Sequence, residues 1–336
     1  MKDFFKNKTI LITGGTGSLG KELTKYFFNN HGDEIKKLII FSRDEQKQFL
    51  MSHDYPENKY KKIRFFIGDV RDKSRLKRAL NGVNFVIHAA AMKHVHIAEY
   101  NPDECVKTNI DGAKNLIEAC LENNVENVVA LSTDKACAPT NLYGASKLAS
   151  DKLFIAANNI KGTQAIKFSV VRYGNVMASN GSVIPYFLKM KDKGVLPITS
   201  KKMTRFNISI QDGAKMVIHA LTKSWGGELF VPKIPSYKIM DVADAVCKDC
   251  KKEEVGIRPG EKIHEEMISS SDSYNTYDLG KYYVILPQLT NWPIEDFIKE
   301  FRAIKVEQGF SYNSGTNKQW ETVESLQKLI KKNIDK

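Results

Sequence analysis

The stretch TILITGGTGSLGKELTKYFF, residues 9–28, decides the fold. Thr9 to Thr13 is an apolar run of β-forming residues, the pattern of a strand buried on both faces of a parallel sheet. Gly14, Gly17 and Gly20 follow at G-x-x-G-x-x-G spacing, and Lys21 to Phe28 reads as a helix. In such a strand–turn–helix unit Gly14 permits the tight turn. Gly17 lets backbone approach a pyrophosphate, and Gly20 packs helix on strand. Thr16, Ser18 and Leu19 complete the phosphate-binding turn, where a helix N-terminus offers free N–H groups.

Working outward, strand and helix patterns alternate regularly. A second strand, Lys37 to Phe41, ends in Ser42, Arg43 and Asp44. An acid here usually binds a ribose 2′-hydroxyl, whereas Ser42 and the planar fork of Arg43 suit a 2′-phosphate. NADP is therefore the expected cofactor, with Asp44 keeping NAD open. A third strand, Ile63 to Ile67, is followed by Asp69 and Val70, which would flank adenine. A fourth, Asn84 to His88, leads into Ala89, Ala90 and Ala91, small enough for backbone to lie against the cofactor. Lys93 comes just after and would help close the site. Asp103 to Asn123 reads as one long helix carrying Thr108 and Asn109. A fifth strand begins at Val128 and a sixth spans Lys167 to Val171. This alternation predicts an α/β fold with a parallel, doubly wound sheet and ligands at the strand carboxyl ends.

After the sixth strand the style changes. Asn175 and an Asn180-Gly181-Ser182 turn introduce short strands, loops and helices. We expect residues 1–175, rejoined by about 207–228, to form a dinucleotide-binding domain. Residues 176–206 and 229–336 would form a smaller α+β substrate domain. Gln211 to Ser224 and Trp292 to Ile304 read as helices, with a last amphipathic helix from about Lys318.

The chemistry gathers in VALSTDKACAPTNLYGASK, residues 129–147. Tyr143 and Lys147 lie four residues apart and so share a helix face. An ammonium beside a phenol favours the phenolate, which predicts Tyr143 as a base near neutral pH. A hydroxyl from Ser132 or Thr133, at a strand end, would hold a substrate oxygen against that phenol. Asp134 and Lys135 add an acid and a base.

The chain has 336 residues, 42% hydrophobic content and a formal net charge of +12. Its lysines are spread along the chain without the aromatic interleaving of a single-strand binder, so no nucleic-acid partner is expected. An anionic small substrate fits the charge equally well. No apolar run approaches a membrane span and Met1 to Lys8 has no signal-peptide core, so we expect no membrane association and a cytoplasmic location. The five cysteines are expected as free thiols. Cys247 and Cys250 sit in DVADAVCKDC, which reads as an amphipathic helix, and no second pair follows at zinc spacing. His94 and His96 lack a third ligand, so no metal site is expected.

Taken together, Gly14-x-x-Gly17-x-x-Gly20, Asp69-Val70, Ser132-Thr133 and Tyr143-x-x-x-Lys147 resemble the extended short-chain dehydrogenase/reductases. Within them the chain is similar to the inverting UDP-N-acetylglucosamine 4,6-dehydratases. The sharper matches are SRDE at 42–45, AAAMKHV at 89–95, EYNP at 99–102, STDKA at 132–136, RYGNV at 172–176, TRF at 204–206 and RPGEKIHEEMIS at 258–269. The resemblance covers essentially residues 5 to 290. The dTDP-glucose dehydratases have Asp-Glu where this chain has Asp134-Lys135. The large membrane-bound relatives have Met in place of the tyrosine. His96 stands where Pro is usual.

The resemblance implies a Rossmann fold and a hydro-lyase acting on UDP-N-acetylglucosamine at the first step of pseudaminic acid synthesis, for flagellin glycosylation. A borrowed hydride leaves C4 and returns to C6. Tyr143 takes the C4 hydroxyl proton. Lys135, neutral if burial and nearby Lys147 lower its pKa, takes the C5 proton, and Asp134 protonates the leaving C6 hydroxyl. Thr133 and Lys147 assist, and Tyr143 and Lys147 also touch the cofactor. Lys93, Thr133, Asn175, Arg205, Arg258 and Glu261 would hold the substrate, the arginines clamping its pyrophosphate. A homo-oligomer is implied, a hexamer being one form. The alternative activity is epimerisation of a UDP-hexosamine without loss of water, for capsular or O-antigen sugars.

Overall fold

The computed structural model describes residues 3–177 and 183–334. The expected Asn180-Gly181-Ser182 turn lies outside these residues. Six strands, β1 (Thr9–Thr13), β2 (Lys37–Ser42), β3 (Ile63–Ile67), β4 (Phe85–His88), β5 (Asn127–Leu131) and β6 (Lys167–Val171), run parallel in the spatial order 3-2-1-4-5-6. That is the doubly wound dinucleotide-binding topology. Every residue of β1 is buried, as its unbroken apolar run requires of a central strand. Helices α1 (Ser18–His31), α2 (Glu45–Asp54), α3 (Lys73–Ala79), α4 (Val95–Tyr100), α5 (Pro102–Val106), α6 (Gly112–Glu122) and α7 (Leu142–Ile160) fill the connections.

The expected long helix from Asp103 to Asn123 is interrupted. Between α5 and α6 the residues Lys107–Asp111 form a π turn. Pro102 starts α5 at a position where its missing N–H costs nothing. The π turn carries Asn109 inward, and its side chain accepts from the Met92 N–H at 2.8 Å and donates to Ser146 Oγ at 2.9 Å.

The second half supplies β7 (Asn175–Val176), α8 (Val183–Lys191), β8 (Val195–Ile198), β9 (Thr204–Ile208), α9 (Ile210–Lys223), β10 (Leu229–Pro232), β11 (Ser236–Lys238) and α10 (Ile239–Val246). It continues with β12 (Lys251–Glu254), β13 (Glu266–Ile268), β14 (Thr276–Asp278), β15 (Tyr282–Ile285), α11 (Ile294–Phe301), β16 (Ile304–Lys305), β17 (Tyr312–Asn313) and α12 (Val323–Ile334). Helix α9 packs beside α1. Strand β10 pairs parallel with β6, and β15, β14 and β16 extend the same sheet to ten strands. The chain after residue 228 is thus shared between this sheet and a second, smaller core. That core includes Ile184, Phe187, Leu196, Tyr237, Val242 and Leu326.

Two of the five expected free thiols are corrected. Cys247 and Cys250 form a disulfide, while Cys105, Cys120 and Cys137 are free and buried. The helix expected across DVADAVCKDC ends at Val246, and the turn beyond it brings the two Cα atoms to 5.4 Å, within disulfide reach.

Candidate active site

The glycine turn leaves β1 with Gly14 at φ +64°, a conformation that side chains oppose. A Cβ there would also come within 2.8 Å of the Ala90 backbone nitrogen. Gly14 and the Ala89-Ala90 segment therefore meet backbone to backbone at the ends of β1 and β4. A Cβ on Gly20 would lie 2.3 Å from the Gly15 carbonyl, so α1 starts inside the turn only because that residue is glycine. Gly17 caps α1 without a side-chain hydrogen bond, and Gly17 and Ser18 are exposed. Thr16 is buried and Leu19 half-buried. The start of this 14-residue helix thus presents the backbone N–H groups that anion binding at a helix N-terminus requires.

At the end of β2, Ser42 is buried and its Oγ accepts from Gln48 Nε2 at 3.0 Å. Arg43 is exposed, 3.6 Å from Asp69. Asp44 caps α2 by accepting from the Lys47 N–H, a local role that sequence reading had left out. Asp69 is half-buried and held by the Arg71 guanidinium at 2.7 Å. Burial would raise its pKa, but Arg71 and Arg43 hold the carboxyl below its usual range. Val70 is buried and Lys93 exposed.

The chain beyond β5 builds the centre of the site. The Ser132 N–H donates to the Val171 carbonyl at 2.7 Å and the Asp134 N–H to Tyr173 at 3.2 Å, so the turn continues beside β6. Thr133 caps a single 3-10 turn, Asp134–Ala136, by accepting from the Lys135 N–H. Its hydroxyl donates to Asp134 Oδ1 at 3.0 Å. Of the two hydroxyls put forward from sequence, Thr133 is the one that bonds Tyr143. Ser132 is turned away and donates to Asp151 at 2.6 Å. Helix α7 begins at Leu142, capped by Asn141, and Gly144 lets it press on the turn, since a Cβ there would lie 2.1 Å from the Lys135 carbonyl.

Lys135 Nζ lies 3.1 Å from Asp134 and 3.2 Å from Glu265, and donates to Asn175 Oδ1 at 3.5 Å. Asp134 and Glu265 are buried, and each has one carboxyl oxygen with no hydrogen-bond partner. Burial raises the Asp134 pKa, with Glu265 adding to the rise and Lys135 opposing it. Burial alone would lower the pKa of Lys135, but the two carboxylates outweigh it and hold the ammonium above its ordinary range. This corrects the expected neutral Lys135.

Tyr143 is corrected too. Burial pushes its phenol up to about 12, against the opposing charge of Lys135 and the Thr133 hydrogen bond. Lys147 is buried and has its own pKa lowered by burial, with Asp151 opposing. Lys135 is a cation that bears on the phenol, one that the i, i+4 spacing does not reveal.

Arg205 is buried on β9, donating to the Thr204 carbonyl at 2.7 Å and the Ile263 carbonyl at 3.2 Å. Its Nε is 3.7 Å from Glu265. Arg258 is exposed on its turn. Glu261 is half-buried with Oε2 enclosed and unpartnered. The 258–269 segment docks on the residues before α7: Thr140 and Asn141 donate to the Gly260 carbonyl at 3.1 and 2.8 Å, and Lys262 to the Cys137 carbonyl at 2.7 Å. This docking delivers Glu265, which sequence reasoning missed. Its signal was present, an acid inside RPGEKIHEEMIS, but nothing in the spacing said which acid turns inward.

Among the described residues no group of three or more His, Cys, Asp and Glu side chains is placed to hold a metal ion. Nor is any described helix long and apolar enough to cross a membrane.

The sequence pattern of the polysaccharide biosynthesis protein family matches residues 10–287. A UDP-N-acetylglucosamine 4,6-dehydratase (inverting) from Campylobacter jejuni subsp. jejuni serotype O:23/36 (strain 81-176) is 53% identical over 335 residues, covering 97% of this chain and 98% of that protein. A UDP-glucose 4-epimerase from Rickettsia canadensis (strain McKiel) is 42% identical over 288 residues, 84% of this chain and 83% of the relative. The X-ray structure of Pen from Bacillus thuringiensis superposes with a TM-score of 0.87 at 34% identity, over 98% of this chain and 99% of that one.

Proposed function

The chain belongs to the polysaccharide biosynthesis protein family of extended short-chain dehydrogenase/reductases, and from that premise we propose that it is a UDP-N-acetylglucosamine 4,6-dehydratase that inverts C5. The product would be UDP-2-acetamido-2,6-dideoxy-β-L-arabino-hex-4-ulose. The observation that carries this reading is the Asp134–Lys135 pair beside Thr133 and Tyr143, a buried acid and a half-buried lysine held at one strand end. The relative of the same name, matched over nearly the whole chain, supports it.

The glycine cradle fits a dinucleotide. Gly14 to Gly20 would hold its pyrophosphate, Asp69 and Val70 its adenine, Ala89, Ala90 and Lys93 its nicotinamide half, and Tyr143 and Lys147 the nicotinamide ribose. Ser42 and Arg43 favour a 2′-phosphate and hence NADP. A nicotinamide held there would supply hydride chemistry, the hydride lost from the sugar C4 being the one regained at C6.

The chain's own residues then handle protons and position. Tyr143 accepts the C4 hydroxyl proton, helped by Thr133 and by the charge of Lys135, the two effects that oppose burial at its phenol. Lys135 as amine removes the C5 proton, made acidic by the new ketone. Asp134, whose pKa burial raises, donates in its protonated form to the leaving C6 hydroxyl. Arg205, Arg258, Asn175 and Glu261 hold the nucleotide sugar, Arg205 from beneath Glu265. We assign 1–175 with 207–228 to the cofactor and 176–206 with 229–336 to the sugar nucleotide. We place the enzyme in the cytoplasm, as a homo-oligomer up to a hexamer, at the entry to pseudaminic acid for flagellin.

The test is incubation with UDP-N-acetylglucosamine in deuterated water, followed by NMR of the sugar. A C6 methyl, a C4 ketone and deuterium at an inverted C5 are expected. A product that keeps its C6 hydroxyl would sink the dehydratase reading and leave the epimerase one, which the Rickettsia relative favours.

A further inference from the structure

Lys135 cannot remove a proton from C5 while it is itself an ammonium, and the structure holds it between the carboxyl groups of Asp134 and Glu265. Its extra proton must go somewhere inside a site that substrate will close to water. Glu265 is 2% exposed, its Oε1 lies 3.2 Å from Lys135 Nζ, and its Oε2 has no partner. Its backbone is fixed, because the Glu265 N–H donates to Ser314 Oγ at 2.9 Å and its carbonyl accepts from the Ser314 N–H at 2.8 Å. A carboxylate pinned and buried in this way, with a free oxygen, is placed to change its charge rather than merely to balance one.

We propose that Glu265 is the positioning residue and proton acceptor of Lys135, taking the ammonium's proton before C5 is attacked. The inference rests on the reading of Lys135 as the C5 base. One Nζ–H bond breaks and one Oε1–H bond forms, converting an ion pair into a neutral pair; the resting charges favour the ion pair, so the neutral pair forms only transiently, ahead of attack on C5. The Lys135 amine then takes the C5 proton and is an ammonium again. Asp134 gives its proton to the departing C6 hydroxyl, which leaves as water, and Asp134 is left as carboxylate. The cycle closes when the proton on Glu265 passes through Lys135 to Asp134. Lys135 is within hydrogen-bond reach of both carboxylates, at 3.1 and 3.2 Å, so it can serve as that bridge.

The charges around the pair fit this use. Facing Glu265 are Lys135, Arg205, Lys262 and Asp134, and those bearing on Lys135 are Asp134, Glu265 and Arg205. The phenols of Tyr143 and Tyr237 also face Lys135. Burial pushes Glu265 up while the three cations pull it down further, so it rests as a carboxylate and holds the proton only in the transient neutral pair.

The test follows release of label from UDP-N-acetylglucosamine deuterated at C5, in single turnovers with excess holoenzyme across neutral pH. Internal transfer predicts a flat rate in the wild type between about pH 6 and 8, because no proton is exchanged with water before C5 is attacked. In Glu265→Gln the amine arises only by loss of a proton to water, so the rate should climb about tenfold per pH unit below the Lys135 pKa. A merely structural role would lower the rate equally at every pH. Glu265→Asp, which keeps a carboxylate, should restore a flat profile at a lower rate. A flat profile in Glu265→Gln, or a climb in Glu265→Asp as steep as in Glu265→Gln, would overturn the proposal. So would a tenfold climb per pH unit in the wild type, a result that needs no variant to fold. Lys135→Met should release no label, and normal release there would instead remove the C5-base reading on which the proposal rests.

Discussion

At the scale of single residues, the charges around Lys135 and Tyr143 make the two expected to fail differently. Tyr143→Phe keeps the ring but removes the oxygen that Thr133 bonds. Substrate should still bind while turnover falls about 10²–10⁴-fold, the usual contribution of a general base. The check is steady-state kinetics beside calorimetric binding, and near-normal turnover would take Tyr143 out of the mechanism. Lys135→Met should lose C5 exchange while leaving C4 oxidation possible. Arg43 is a third case. It stands exposed at the end of β2, 3.6 Å from Asp69. Arg43→Asp would bring two acids together and repel a 2′-phosphate. Affinity should swing from NADP toward NAD, measured by titrating each cofactor, and an unchanged preference would show that Arg43 does not read the phosphate. The identity of these residues was legible because strand, turn and helix placed them in order along the chain. Their protonation was not. Sequence shows that Lys147 is four residues from Tyr143, but only the fold shows that Lys135 also bears on its phenol and that Glu265 crosses over from residue 265 to meet Lys135.

At the scale of elements, β4 carries a testable cost. Its last residue, His88, is buried, with Nδ1 bonded to Thr13 Oγ1 of β1 at 2.8 Å. Burial, with Lys147 adding repulsion, lowers its pKa from 6.5 to about 3. The unfolded chain therefore takes up a proton below pH 6.5 that the folded chain refuses until near pH 3. Stability should be complete above the upper value and should decline as pH falls through this window, by about 1.4 kcal/mol per unit at most. His88→Asn keeps a polar partner for Thr13 and removes the titration. Urea unfolding of both proteins from pH 7 downward should show a shallower decline in the variant, and equal slopes would exclude this origin. Elements were the most legible level. β1, β3 and β6 lie where their apolar runs predicted, to the residue. What could not be read was the π turn at Lys107–Asp111, since a single extra residue in a helical turn leaves the apolar pattern nearly unchanged. Nor could the end of α10 before Cys247 be read, because the amphipathic pattern runs on past it.

At the scale of the whole molecule, the site depends on the late 258–269 segment lying against the turn after β5. Backbone and side-chain bonds at Gly260, Ile263 and Lys262 hold it there, and one buried arginine ties it to the sheet. Arg172, just beyond β6, donates to the Met267 carbonyl at 3.0 Å and to Asp151 Oδ2 at 3.3 Å, with all three groups buried. Asp151 in turn accepts from Ser132 at 2.6 Å and supports the charge of Lys147. One carboxylate thus joins α7, the catalytic turn and the late segment. Removing its charge should do more than its single ion pair implies, because buried Arg172 would be left with only the longer contact to half-buried Asp272, at 3.9 Å. Breaking such a pair typically costs about 3–5 kcal/mol. Asp151→Asn preserves volume and can still accept from Ser132, so the loss it causes reports mainly on the charge. Lys8→Met is the control. It breaks the Lys8–Glu126 pair at 2.7 Å, whose side chains are 30% and 41% exposed, and should cost about 1 kcal/mol or less. Urea unfolding at neutral pH should therefore place Asp151→Asn well below Lys8→Met in stability. At temperatures where Asp151→Asn is folded, turnover should still be reduced, since Arg172 and Lys147 have both lost the charge that Asp151 supplies. Equal stability losses in the two variants, with full turnover in Asp151→Asn, would mean that the late segment is held by its backbone bonds alone and that Arg172 is not the strut between the two halves of the site.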